Sequence, residues 1–585
     1  MSLVEDILAA TDTDPAVRFG RKPAPRNPRT VIDEYLDEQQ KLTAVEKFSQ
    51  RSPVSAATGP AQARYYAALL PAQPPGPGEQ YAFEVDLDRC SGCKACVTAC
   101  HSLNGLDDGE TWRNVGLLMG GPDSDPVLQH VTTACHHCVE PACAAACPVD
   151  AYDKHAVTGI VRHLDDQCIG CQYCTLACPY DVPQYHAGKG IVRKCDMCSG
   201  RLESGEAPGC VQACPHEAIR ISVVSHREVI DSSVSPLVPQ APDSRFTLPT
   251  TRYKSRRALP VETVAGHHNV VAPQHVHWSL VWMLVLTQIS VGVACVVGVS
   301  ALFNVAAGFR PSASDAANQS AGLAVALLTG VAGVVAATLH LGRPLLAFRA
   351  FLGLRHSWLS REFVAFGLYL PLLTLAIQLS LGTPSDACFV DWHPFVMLAA
   401  AGVGLVGVGC SAMIYAFTRR PFWNTWDTLL KFFTTTVLLG VSVSLAVAYS
   451  SAGIDFTAST TTEMRLNAAG MCVLVGLATL FKLGIELCLL KNRSDVDPPE
   501  QRLSAKLLLG PLRSVLMARL ILAAAGGLML PAVLWVLASG SAASGWQTTG
   551  LAVASALSLV IGELLERSLF FAAVVPLRMP GGLET

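Results

Sequence analysis

The sequence predicts an α+β domain organised by cysteine quartets, followed by an all-α polytopic membrane domain of eight transmembrane helices. Three observations carry that expectation. Hydrophobic residues make up 51% of the 585 and charged residues only 15%, where soluble chains carry about 25% charged. Sixteen of the 21 cysteines fall between Cys90 and Cys214, and from Trp278 onward the chain is a series of long apolar stretches. A single soluble globular enzyme is thereby excluded. The 43 basic and 46 acidic side chains nearly cancel, so the basic excess of a nucleic-acid binder is missing and no nucleic-acid partner is expected.

Residues 1–80 are polar and rich in Pro and Ala. The charged stretch Val31–Phe48 suits one or two short helices, and Pro71–Gly78 reads as a linker. Met1–Gly20 carries acids and lacks the apolar core and small-residue cleavage site of a secretory signal. This arm reads equally as a solvated extension or as a strap for a partner subunit. The thiol-rich domain is expected over 81–250, a second linker over 251–277 and the membrane domain over 278–585.

The cysteines form four groups. Cys90, Cys93, Cys96 and Cys100 are separated by two, two and three residues, and Cys168, Cys171, Cys174 and Cys178 repeat that spacing and end in Pro179. Cys135, Cys138, Cys143 and Cys147 are followed by Pro148, and Cys195, Cys198, Cys210 and Cys214, with a wide middle gap, by Pro215. Three closely spaced thiolates wrap one face of a cubane, whereas the fourth, a helical turn on, reaches the cluster of another group. Sixteen thiolates therefore imply four [4Fe-4S] clusters in a double bacterial-ferredoxin-like domain. Zinc ribbons use isolated Cys-x-x-Cys pairs, and three cysteines within seven residues pair poorly as disulfides. The other cysteines, Cys295, Cys388, Cys410, Cys472 and Cys488, suit small packing roles.

Apolar stretches lie near 278–300, 320–341, 362–381, 394–417, 428–450, 466–490, 515–538 and 551–575. Each approaches the ~20 residues that cross a bilayer as a helix, which satisfies its own backbone in lipid. Connections on one side hold 16 Lys and Arg, including Arg343, Arg349, Arg355, Arg361, Arg419 and Arg420, against Arg310 and Arg465 on the other. Positive loops stay inside, so the iron-sulfur domain is expected on the cytoplasmic face, unless those arginines instead clamp it to the membrane part. Gly402, Gly404 and Gly407 satisfy G-x-G-x-x-G inside an apolar span, where helix packing explains them better than a dinucleotide.

Ionisable groups at membrane depth are expensive and default to function. Lys482 with Glu486, and Glu563 with Arg567, are four apart and suit neutralisation along one helix, while Lys431 and Arg519 lie near span ends and can snorkel. His340 closes the second span and Glu362 opens the third, on the cysteine side. An imidazole and a carboxylate there suit either helix capping or acceptance of a quinol's hydrogen bonds and protons. His340 is the only histidine that approaches a span interior, which argues against a bis-histidine haem.

The run Cys168–Tyr180 (C-I-G-C-Q-Y-C-T-L-A-C-P-Y) and Lys194-Cys-Asp-Met-Cys198 resemble the four-cluster electron-transfer subunit of dimethyl sulfoxide reductase-type molybdenum enzymes. Leu339-His-Leu-Gly-Arg-Pro344 and Ser357-Trp-Leu-Ser-Arg-Glu362 resemble the eight-span anchor subunit of the same enzymes, here fused. The resemblance covers roughly 81–224 and 275–578. It implies that groups one and four share two clusters and groups two and three the other two. It also implies that His340 and Glu362 match the family's quinol-site pair. The expected role is passage of electrons from menaquinol or ubiquinol, in the cell inner membrane, to a separate molybdopterin catalytic subunit. No terminal-substrate site is recognisable in this chain; the expected cytoplasmic clusters depart from the best-known members of the family, whose catalytic side faces outward, so an internal substrate such as nitrate is a candidate for that partner. The alternative is an ion-translocating module resembling polysulfide reductase, with Lys482, Glu486, Glu563 and Arg567 lining a proton path. One departure is Cys100-His101, where the family has Cys-Pro.

Overall fold

A computed structural model of the chain describes residues 31, 34, 63–121, 126–306, 313–381, 392–451, 462–488, 490, 499–539 and 545–581. Residues Met1–Ala68 make a unit of their own. Within it, Val31, Glu34 and the short helix Ala63–Tyr66 are described, so most of the charged stretch expected to be helical lies outside the described residues, as does Cys388.

The thiol-rich domain is built on short strands. β1 (Glu79–Asp86) is central in a three-stranded sheet, antiparallel to β8 (Ile219–Ser225) and parallel to β9 (Arg252–Lys254). Its Ala82, Phe83 and Val85 are all buried, so the two ends of the domain close over one strand. A second sheet runs β10 (Val264–Ala265), β2 (Asn114–Gly120), β3 (Val127–Thr133), and two hairpins, β4–β5 (Tyr152–Lys154 and Val161–His163) and β6–β7 (Gln184–His186 and Ile191–Arg193), separate the cysteine groups. The stretch 251–277, expected as a linker, is instead woven into the domain through β9 and β10. Its strands are only two or three residues long, too short for a period-2 pattern to reveal.

Among the described residues, eight helices are long and apolar enough to cross a membrane: α1 (Trp278–Ala306), α2 (Ala317–Leu339), α3 (Trp358–Ser380), α4 (His393–Ala416), α5 (Thr425–Ser451), α6 (Ala468–Cys488), α7 (Arg513–Leu537) and α8 (Gly545–Ala572). α1 is the hub, packed on α2, α4, α5 and α8. Its backbone touches that of α5: a Cβ on Gly292 would lie 2.1 Å from the Thr436 carbonyl oxygen and 2.7 Å from Gly440 Cα. Gly404 and Gly407 likewise meet Val291 and Phe366 at 2.8 and 3.0 Å, while Gly402 faces open space, so two of the three glycines serve helix packing. A π-helical turn, Ala525–Met529, interrupts α7.

Two boundaries move. α2 stops at Leu339, leaving His340 just beyond it, and α3 begins at Trp358, so Glu362 sits in its second turn rather than at its start. Polar Ser357 and Ser360 hide that first turn from a hydropathy reading. Their hydroxyls donate to the Ala146 and Pro148 carbonyls at 2.6 and 3.3 Å, because the turn is docked on the thiol-rich domain.

The loop between α2 and α3 is the joint. A Cβ on Gly342 would sit 2.2 Å from the Gly190 oxygen, and one on Gly353 would sit 2.6 Å from the Cys147 oxygen. Arg343 and Arg349 donate to the Asp165 and Asp166 carbonyls at 2.8 and 3.0 Å, and Arg420 donates to Leu176 at 3.3 Å. Tyr173 and Ala177 of the domain share one hydrophobic core with α1, α4 and α8. The tail returns as well: Met579 packs with Val85, Leu118 and Val131, and Gly581 accepts from Leu117 N–H at 3.3 Å.

Candidate functional site

Each cysteine group is a loop running into a short helix. Lys94 and Gln172 adopt left-handed φ values of 59° immediately before helices Ala95–Asn104 and Tyr173–Ala177, and Met197 and Cys198 do so before Ser199–Glu203. Such a turn curls the backbone so that successive thiols face one point. Amides turn the same way: Ala151, Gly170, Met197 and Ala218 N–H groups donate to the sulfurs of Cys147, Cys168, Cys195 and Cys214 at 3.2–3.4 Å.

The groups interleave in space. Cys90, Cys93, Cys96 and Cys214 line one small cavity, and Cys135, Cys138, Cys143 and Cys178 another. Cys100 lies with Cys198 and Cys210, and Cys147 with Cys168, Cys171 and Cys174, within electrostatic reach of one another. All described cysteines are free thiols. Among the described residues no group of three or more His, Cys, Asp or Glu side chains is arranged to hold a single metal ion. Soft sulfur donors converging on a void, with amide N–H groups aimed at the sulfurs, fit an anionic iron-sulfur cube.

Two buried cations complete this environment, and the spacing argument missed both. Lys194 donates to Cys135 Sγ at 3.6 Å, to the Cys195 carbonyl at 2.8 Å and to the Val161 carbonyl. Arg113 stacks 4.6 Å from the Phe83 ring centroid and donates to Thr132 at 3.2 Å. Burial opposes its charge, yet Cys210, Cys96, Cys195 and Cys100 around it hold it firmly protonated. Lys194 had a visible signal, its adjacency to Cys195. Arg113 had none.

At the joint lies a cavity of ≈ 260 Å³ that brings His340 and Glu362 together with Cys171. His340 rests against the Cys171 backbone and edge-on to His277, ring centroids 4.9 Å apart. Burial first, and then His277, push its pKa down to about 4, so it is a neutral acceptor at pH 7. Glu362 is 5% exposed and accepts from the Ser411 hydroxyl. Tyr173, Tyr415, Trp423 and Arg420 complete the wall, and burial lowers Arg420 to about 10. His277 was missed because it sat in the supposed linker. Its partner His275, 5.0 Å from it, was the only trace in the sequence.

The intramembrane charges differ from the expected intrahelical pairs. Lys482 bonds Glu563 and Thr435, and lies 3.7 Å from Glu566. Arg519, expected to snorkel, is 1% exposed and grips Glu563 at 2.7 Å and Glu486 at 3.0 Å. Arg567 pairs with Glu566 at 2.8 Å and reaches Gln288 and Thr435 at 3.3 Å. Lys431 is also buried, at 3%. The charges come from four spans, α5 to α8, and pairing between helices replaces lipid-facing exposure, because a buried charge is tolerated only beside its counterion.

A thiol-rich domain docked through glycine contacts onto eight spanning helices, with a cavity at the joint, defines a membrane-anchored iron-sulfur electron-transfer protein. Comparison with known families makes this specific. Residues 273–573, just over half of the chain, match the family described as DMSO reductase anchor subunit (DmsC), and residues 127–224 match a 4Fe-4S dicluster domain. The chain belongs to the dimethyl sulfoxide reductase anchor-subunit family and carries the iron-sulfur subunit fused ahead of it. It is 38% identical over 173 residues to the B subunit of the anaerobic dimethyl sulfoxide reductase of Haemophilus influenzae, 28% of this chain and 84% of that one. It is 36% identical over 197 residues to YnfG of Escherichia coli, a probable anaerobic dimethyl sulfoxide reductase subunit (32% and 95%), and 33% identical over 175 residues to protein NrfC of that species (29% and 76%). These relatives are matched over most of their own length by a third or less of this chain, consistent with a fusion of two subunits. The chain is thus a multi-pass membrane protein with 4Fe-4S clusters that transfers electrons.

Proposed function

We propose that this chain oxidises a membrane quinol in the cavity at the joint and delivers the electrons, through four [4Fe-4S] clusters, to a separate molybdopterin catalytic subunit. The observation that carries the reading is that His340 and Glu362, 22 positions apart in sequence, share one cavity with Cys171. The proposed ligand sets are Cys90, Cys93, Cys96 with Cys214; Cys135, Cys138, Cys143 with Cys178; Cys168, Cys171, Cys174 with Cys147; and Cys195, Cys198, Cys210 with Cys100. When bound, the clusters supply one-electron carriers leading away from the cavity. The protein's own residues handle the protons. A quinol gives up two electrons and two protons as it becomes quinone. Neutral His340 and the Glu362 carboxylate each accept one proton, and the Ser411 hydroxyl keeps the carboxylate oriented. Apolar Leu280, Met283 and Ile414 suit a quinone ring and the start of its tail.

Supporting an inner-membrane protein with its cluster domain on the cytoplasmic side is the imbalance of Lys and Arg between the two sets of connections. Fusion of green fluorescent protein and of alkaline phosphatase to the C-terminus tests it, and phosphatase activity there reverses the orientation. The quinol site is tested with Glu362→Ala. Reduction of the clusters by quinol should be lost while reduction by dithionite remains, and undiminished quinol reduction would overturn the site. Identification of the polypeptide that co-purifies tests the partner.

A further inference from the structure

Between α2 and α3 the chain forms a 3₁₀ helix, Pro344–Phe351, with two unlike faces. Three residues make one turn of such a helix, so every third side chain falls on the same face. Arg343, just before it, Leu346 and Arg349 form the face that docks: Leu346 packs on the core that holds Cys147 and Cys168, and the two arginines donate to the Asp165 and Asp166 carbonyls. Leu345, Phe348 and Phe351 form another face, and it is uncovered, at 90, 60 and 53% exposed. Leu352 and Leu354, which follow, are exposed as well. So many adjoining large apolar residues left open mark a surface built to be covered.

Its neighbours fix the level of this face in the membrane. The loop joins the domain-side ends of two spans, the same ends at which α1 and α5 present exposed Trp278 and Trp426. Tryptophan gathers at headgroup depth, so the uncovered face stands where a bilayer turns from headgroup to acyl chain. The charge agrees. From Leu339 to Arg361 the sequence holds four arginines, Arg343, Arg349, Arg355 and Arg361, and no Asp or Glu. Arg343, Arg349 and Arg361 donate to neutral carbonyls, and among the described residues none of the four forms an ion pair. Arg355 is exposed, and among the described residues its guanidinium has no hydrogen-bond partner. Apolar residues bordered by unneutralised arginines at headgroup depth complement an anionic phospholipid, acyl chain on one side and phosphate on the other.

We infer that this loop is a binding site for anionic phospholipid: Leu345, Phe348 and Phe351 lie among the acyl chains of the leaflet that faces the thiol-rich domain, and Arg355 holds a headgroup phosphate. The site goes beyond the quinol reading and does not depend on it. Its consequence is mechanical. The opposite side of the same short helix packs Leu346 and Ala350 against the core of Cys147, Cys168 and Cys174. Lipid on the outer face therefore pins the loop from behind against the thiol-rich domain, and the composition of the bilayer sets how firmly the two halves are joined.

The test is hydrogen–deuterium exchange of residues 344–355 in the full chain, held in nanodiscs of phosphatidylcholine alone or of an equal mixture with phosphatidylglycerol. The anionic lipid should slow exchange in the loop, and Arg355→Gln should weaken that slowing about fivefold, the worth of one arginine at a charged membrane surface. Leu345→Ser combined with Phe348→Ser should speed exchange in both membranes. Dithionite should still reduce the clusters in these variants, showing the thiol-rich domain folded. Arg227→Gln, which removes an exposed arginine of the thiol-rich domain outside the loop, should respond to phosphatidylglycerol as the unsubstituted chain does. Equal exchange in the two membranes, or an equal loss of the response in Arg227→Gln, overturns the inference, as does a loop that lipid leaves open and the co-purified partner polypeptide protects. Quinol-linked reduction is read separately in the same nanodiscs: if Glu362→Ala leaves it unchanged the quinol site fails, while the lipid site stands or falls on exchange alone.

Discussion

Replacing Gly342 by Ala strikes the joint where the two halves touch backbone to backbone. The new methyl would stand 2.2 Å from the Gly190 carbonyl oxygen and 2.7 Å from Gly190 Cα. Ordinary C···O contacts begin near about 3.3 Å, so the loop must retreat by about 1 Å. Both partners are main chain, so no side chain can swing aside. Overpacking of this kind costs about 1–3 kcal/mol. The retreat also stretches the bonds from Gly342 N–H to Gly170 (3.4 Å), Arg343 N–H to Ile169 (3.0 Å) and Arg343 Nη1 to Asp165 (2.8 Å). With each bond worth about 1 kcal/mol, docking should weaken by about 2–5 kcal/mol. His340 lies two residues upstream and moves with the loop, away from Cys171, and a misplacement of about 1 Å commonly costs about 100-fold in rate. Stopped-flow reduction of the clusters by quinol should fall by about that factor, while dithionite still reduces them, showing the thiol-rich domain intact. A quinol rate within about twofold of the unsubstituted protein would refute the docking argument.

Three further outcomes follow from the geometry. Gly292→Ala forces α1 and α5 apart against the Thr436 carbonyl 2.1 Å away and should cost about 1–3 kcal/mol of stability in detergent, whereas Gly402→Ala, with nothing within 4 Å, should be tolerated. Cys214→Ser and Cys93→Ser should remove the same paramagnetic signal and the same four or so irons, and Cys198→Ser a different one; a signal shared by the Cys214 and Cys198 variants contradicts the interleaving. His340 has its pKa pushed from 6.5 down to about 4, so the unfolded chain takes up a proton before the folded one does. Its contribution is complete above pH 6.5 and declines as the pH falls toward 4, by about 2 kcal/mol at pH 5. Thermal unfolding between pH 7 and 5 should show that slope, reduced in His340→Gln.

The linear sequence is enough for everything that depends on local spacing or on solvent. Thiols two or three residues apart must face a common point whatever surrounds them, and a stretch of 20 apolar residues must be a helix in lipid, so the quartets and all eight spans are readable directly. The pair His340 and Glu362 is legible as a candidate because both are polar groups beside apolar runs.

Only the tertiary structure decides what distant segments do to each other. It brings Cys214 to the cavity of Cys90, Cys93 and Cys96 and Cys178 to that of Cys135, Cys138 and Cys143, pairs two short strands of 251–277 with β1 and β2, and sets His277 against His340. It replaces the i, i+4 pairs Lys482–Glu486 and Glu563–Arg567 with bonds between helices, as from Lys482 to Glu563, 81 positions on. The physical reason is common to these cases. A charge or a two-residue strand has no preferred partner in its own neighbourhood, and its energy is set by whichever surface the fold brings against it, where burial makes the choice of counterion or ladder mate decisive.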